Sequence, residues 1–125
     1  MTPVQTNGAP NPIGPYSQAI THNDLVFVSG QIPINPKSGT IEGITIEEQV
    51  NQVMQNLSAI LVACGSDLSH VVKSTVYLAD LGEFDGYNKV YGSYFTSTPP
   101  TRSTIQAAKL PRSAKVEIDV IAIKL

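Results

Sequence analysis

One cysteine, no tryptophan and few charges set the first limits on this chain of 125 residues. Cys64 alone cannot close an internal disulfide, and it supplies neither the thiol pairs of a zinc ribbon nor a redox CxxC. A reducing compartment, the cytoplasm, is the expectation. Charged residues make up 14% of the chain, well below the roughly 25% of an average globular protein. So few charges point to surface hidden in an oligomer. Eight basic and ten acidic side chains leave a net charge of -2 with no run of one sign, which removes the electrostatic footprint of a nucleic-acid binder. No apolar run approaches the length of a membrane span, and Met1 to Pro12 lacks a basic stretch followed by an apolar one. Neither membrane nor secretory routing is expected. P-loop, GxGxxG, HExxH and GxSxG motifs are missing, as is any Cys/His ligand cluster, so no cofactor or metal is expected.

What is present fits a single domain over residues 1–125. Gln18–His22 and Leu25–Ser29 flank Asn23-Asp24, a tight hairpin turn, and Leu25-Val26-Phe27-Val28 reads as a strand buried on both faces. Asn35 to Gly39 carries turn chemistry. Thr45-Ile46-Glu47-Glu48 has capping-box spacing, and Val50, Val53, Met54, Leu57, Ile60, Leu61 and Cys64 then trace one helical stripe that stops at Gly65. Val72, Ser74, Val76 and Leu78 alternate as a strand. Phe84, Tyr87, Tyr91, Tyr94 and Phe95 return to helical spacing despite Gly86 and Gly92. After Pro99-Pro100, Arg102–Ala107 and Lys115–Ile123 alternate again and predict a terminal hairpin. The order ββ, helix, strand, helix, ββ implies an α+β fold, a sheet with both helices on one face. An apolar opposite face would have to be covered by self-association.

Few side chains offer chemistry. His22 and His70 read as solvated turn residues, Cys64 as a small buried hydrophobe, and the sequon Asn56-Leu57-Ser58 as a chance match inside a helix. Arg102 shares a strand face with Thr104 and Gln106 and calls for an anion. Glu117 and Asp119 lie on a strand face that turns apolar at Ile121 and Ile123, as in a half-buried site. Pattern alone favours the plainer reading, a structural Arg-Glu ion pair or a solvated strand.

The blocks Ile13-Gly14-Pro15-Tyr16-Ser17-Gln18-Ala19, Ser29-Gly30-Gln31-Ile32-Pro33, Pro100-Thr101-Arg102-Ser103 and Val116-Glu117-Ile118, with Asp80-Leu81 and Tyr87-Asn88 between them, resemble the RidA/YjgF family over about Ile13 to Ile123. The resemblance implies a chorismate-mutase-like α+β fold, a mixed β-sheet with two helices on one face, assembled as a homotrimer with clefts between subunits. It implies cofactor-independent hydrolysis of 2-imino and enamine acids (2-aminoacrylate, 2-iminopropanoate, 2-iminobutanoate) to 2-keto acids and ammonia, a form of metabolite damage control. By the same resemblance Arg102 and Glu117 are catalytic, Arg102 holding the carboxylate and Glu117 activating water. Tyr16, Ser29, Gly30, Asn88, Arg102 and Thr104 meet the substrate. Thr104 stands where many of these deaminases have Cys.

Two other readings compete: an endoribonuclease or translation inhibitor, as reported for some relatives, and a non-catalytic sensor or chaperone for small carboxylates. The charge balance opposes the first. Against the second, a carboxylate sensor has little need of Glu117.

Overall fold

The computed structural model describes residues 1–125. Six strands form one mixed sheet: β1 (Thr2–Val4), β2 (Ala19–His22), β3 (Leu25–Gln31), and then β6 (Val71–Leu78), β7 (Thr101–Gln106) and β8 (Val116–Ile123). A separate small hairpin is made by β4 (Ile34–Asn35) and β5 (Thr40–Ile41). Two helices, α1 (Ile46–Ala63) and α2 (Phe84–Ser93), complete the chain. Strand order across the sheet is β1-β2-β3-β8-β6-β7, antiparallel throughout except for the parallel pair β6 and β7, which α2 connects.

Local chemistry explains the elements. The β2–β3 hairpin turns at Asn23, whose φ is 53°, a left-handed position that asparagine tolerates. At the start of α1, the Thr45 hydroxyl accepts from the Glu48 amide (3.2 Å) while Glu48 Oε1 accepts from the Thr45 amide (3.0 Å). At its end the Ser66 amide donates to the Leu61 carbonyl and the Gly65 amide to that of Val62, with Gly65 at φ 78°. This pair of bonds is the Schellman closure that glycine permits. All seven stripe residues of α1 are buried.

Both helices pack on one sheet face, against Val26, Val28, Val76, Leu78, Ile118, Val120 and Ala122 in a single core. Asn56 is buried there too, its amide donating to the carbonyls of Ile32 and Ile34, so the sequon asparagine ties α1 to the backbone entering β4.

Three expectations need correction. Lys115–Ile123 does not form a hairpin with Arg102–Ala107: β8 crosses β7 and β6 and inserts between β3 and β6. Every second residue of β8 is apolar and fully buried, which suits a central strand, whereas β7 is rich in Thr, Ser, Arg and Gln and takes the edge. The Leu25–Val28 segment is not buried on both faces; Val26 and Val28 are, but Leu25 and Phe27 are 39% and 40% exposed on the outer face. In β6 the register shifts between Val71 and Lys73, so Val71 enters the core and Val72 faces out. The structure also adds β1, drawn from a Pro/Asn/Gly-rich start that carries no strand pattern.

Candidate functional site

The predicted site residues fall into two groups on opposite faces of the sheet. On β8, Glu117 pairs with Tyr77 of β6, which pairs in turn with Ile105 of β7; this is the outer face. Arg102 pairs with Ser74, which pairs with Val120, on the helix-covered face. Within one chain, Arg102 and Glu117 therefore do not converge.

The Glu117 group lines a cleft of about 460 Å³ together with Tyr16, Gln18, Ser29, Gly30, Gln31, Pro111 and the segment Pro10–Ile13. An irregularity in β3 builds this wall: Val28 opposes Val120 and Gln31 opposes Ile118, so three steps on β3 match two on β8, and the extra residue lifts Ser29-Gly30 off the ladder. Glycine at position 30 leaves room for the Glu117 carboxylate, which a side chain there would push aside. The Ser29 hydroxyl donates to the Ser17 carbonyl at 2.6 Å and holds the hairpin arm. Buried Gln18 bonds the backbone of Thr6 and Pro10 and so secures the N-terminal segment over the cleft. Half-exposed Tyr16 accepts from the Ile13 amide and stands at the rim. Burial pushes the Glu117 carboxyl above its ordinary pKa, and the negative charge of Asp119 two residues along the strand adds to the shift. Asp119 is likewise raised by burial, against the pull of Lys73.

The Arg102 group lies between β7 and α2. Nη1 of Arg102 donates to Oδ1 of Asn88 at 2.7 Å. Its guanidinium carbon sits 5.6, 5.2 and 5.0 Å from the ring centroids of Phe84, Tyr87 and Tyr91, within cation–π range. The ion pairs of the chain join His70 to Asp67 and Lys115 to Glu83, and Arg102 belongs to neither. The Arg-Glu ion pair left open by the sequence is thus not formed within the chain, and half-buried Arg102 keeps one side-chain acceptor, Asn88, and no carboxylate partner, which makes it a candidate anion site. Thr104, two residues along the same face, shares a hydrogen bond with the Tyr87 hydroxyl at 3.2 Å.

The three aromatic rings around Arg102 are the residues of this group to which the sequence reading gave no place at the site. Their spacing of three and four reads equally as a core stripe, and Tyr87 and Tyr91 are indeed buried. The signal available was Asn88 among them, one polar residue on a helix turn facing an arginine strand. His22 is exposed, as expected of a turn residue, while His70 pairs with Asp67 at 2.7 Å. Cys64 is buried and its thiol pKa is raised by that burial.

Fold and site together define the class: an α+β chain with a mixed sheet, two helices on one face, and a carboxylate cleft and a guanidinium site on opposite sheet faces. The family described as Endoribonuclease L-PSP matches residues 6–124. A RutC family protein of Saccharolobus solfataricus is 48% identical over 121 residues, 97% of this chain and 96% of the relative. The Reactive Intermediate Deaminase A, chloroplastic, of Arabidopsis thaliana is 48% identical over 119 residues, 95% of this chain and 64% of that protein. The crystal structure of E. coli TdcF with bound serine superposes with a TM-score of 0.95 at 38% identity, each chain covered in full. This chain belongs to the RidA/YjgF family.

Proposed function

We propose that this protein is a cofactor-independent deaminase of 2-imino acids, working in clefts where the Arg102 group of one subunit faces the Glu117 group of its neighbour in a homotrimer. The observation that carries this reading is Arg102 itself: a guanidinium held by Asn88 and three aromatic rings with no carboxylate to neutralise it. Such a fork suits the planar carboxylate of an imino acid. The bound serine in TdcF, a molecule with the same carboxylate, and the deaminase name of the Arabidopsis relative point the same way.

In the proposed reaction Arg102 fixes the carboxylate and so orients the C=N bond. Glu117 accepts a proton from water as the water oxygen adds to C2 of the protonated imine, giving a tetrahedral carbinolamine. It then gives that proton to nitrogen and takes up the carbinolamine hydroxyl proton as the C–N bond breaks, so that ammonia leaves a 2-keto acid. Water is the only co-reactant. A carboxyl whose pKa is raised by burial is suited to both halves of this proton transfer. An enamine such as 2-aminoacrylate reaches the same route after tautomerising to 2-iminopropanoate.

The deciding assay supplies 2-iminobutanoate and 2-iminopropanoate, generated in situ, and follows ammonia and keto-acid release. Acceleration over the spontaneous rate supports the reading, and none overturns it. The family description raises the ribonuclease alternative. With no basic cluster on the chain, RNA binding is expected to be weak and abolished by modest salt; salt-resistant RNA cleavage lost in Arg102→Ala would reverse the order of the two readings.

A further inference from the structure

We propose that Tyr87 is a positioning residue for Arg102: its ring supports the guanidinium, and its bond to Thr104 locks that ring to the strand that carries the arginine. The inference rests on the reading of Arg102 as a carboxylate clamp.

An arginine on an edge strand has many rotamers, and a clamp must be found in one of them before substrate arrives. Asn88 holds one edge of the fork through Nη1. The flat face needs a second restraint, and the rings of α2 provide it. Phe84, Tyr87 and Tyr91 of α2 and Phe95 just beyond it pack edge-on or tilted in series, with centroid separations of 5.7, 5.5 and 4.8 Å. Both tyrosine hydroxyls are tied to the sheet, Tyr91 to Ser74 of β6 at 2.5 Å and Tyr87 to Thr104 of β7 at 3.2 Å.

Tyr87 differs from Tyr91 in where it is anchored. Thr104 shares strand and face with Arg102, so the Tyr87–Thr104 bond sets the ring against the arginine's own backbone. Tyr87 is fully buried and, through burial, its phenol is harder to ionise than usual, so the ring stays a neutral π partner. The Thr104 hydroxyl can both donate to and accept from a phenol, so either oxygen can be the donor in this bond. On this reading Thr104 serves the clamp and not the substrate directly.

Binding of 2-oxobutanoate by calorimetry and steady-state hydrolysis of 2-iminobutanoate test the proposal. Tyr87→Phe and Thr104→Val should each raise Kd and KM about 3- to 10-fold with kcat within about twofold, and the double variant should match either single one, since both remove the same bond. Tyr87→Leu should weaken binding further, yet add nothing in an Arg102→Ala background. Additive effects of the two conservative variants, unchanged Kd in both, or an equal Tyr87→Leu effect without Arg102 would overturn it. Should Tyr87→Leu not fold, the Tyr87→Phe and Thr104→Val cycle decides alone. A parent that binds 2-oxobutanoate but hydrolyses no imine refutes the deaminase reading only, because the binding cycle still decides the role of Tyr87; a parent that binds no carboxylate refutes both.

Discussion

Arg102 and Glu117 divide the work of the proposed reaction, and their surroundings make the division testable. Arg102→Ala removes charge-assisted hydrogen bonds worth about 1.5–3 kcal/mol each, so kcat/KM should fall at least about 100-fold, with Arg102→Lys recovering little because a point charge cannot replace a planar fork. Glu117→Gln keeps the shape but removes the base, and should lower kcat about 100-fold or more while leaving 2-oxobutanoate affinity near that of the parent. Burial first, and then the charge of Asp119, raise the pKa of Glu117. Asp119→Asn deletes the second cause, so the carboxylate ionises more readily and the acidic limb of the kcat/KM profile should move to lower pH. A limb that stays in place would remove Glu117 as the titrating base. Both residues were legible in the sequence, Arg102 as a cation on a polar strand face and Glu117 as an acid on a face turning apolar. The aromatic support of Arg102 was not, because phenol rings at helical spacing serve a core and a site with the same pattern.

At the scale of elements, local signals were read correctly for α1, where both partners of each signal lie close together in the sequence. The Thr45–Glu48 box, the α1 stripe and the Gly65 stop all lie within about twenty residues, and each appears as expected. Thr45→Ala should cost about 0.5–2 kcal/mol of stability, read as a lower urea midpoint with kcat unchanged, since neither Thr45 nor Glu48 lines the Glu117 cleft or bonds Arg102. Leu57→Ala, at a fully buried position on the same helix, should cost about 2–5 kcal/mol through lost transfer energy and a cavity. Strand pairing was less legible. Period-two alternation marks β7 and β8 as strands but does not name their neighbours, and the long connection through Pro111–Ser113 lets β8 reach the middle of the sheet. The bulge that lifts Ser29-Gly30 toward Glu117 was also invisible, because a register slip depends on the partner strand as much as on the residues that slip.

For the whole molecule, the outer sheet face decides the matter. Leu25, Phe27, Val72, Ile105 and Ile123 stand 39–52% exposed there, beside the cleft that holds Glu117. Apolar side chains in that number on one sheet face are unusual for a free subunit and fit a surface covered by further copies of the chain. Sedimentation of the purified protein should therefore give three chains per particle, and a stable monomer at micromolar concentration would sink the shared cleft. A sharper test follows from the split of the site across the sheet. If each cleft takes Arg102 from one subunit and Glu117 from the next, then Arg102→Ala and Glu117→Gln particles, each inactive alone, should recover activity when unfolded together and reassembled. For random mixing at equal amounts, half of the subunits donating arginine carry it and half of those donating the acid carry it. About one quarter of the clefts are then intact, and the mixture should approach about a quarter of parental activity. Activity that stays at the level of the separate variants would mean that each cleft draws both groups from the same chain, which opposite faces of one sheet do not allow without a different fold of the cleft.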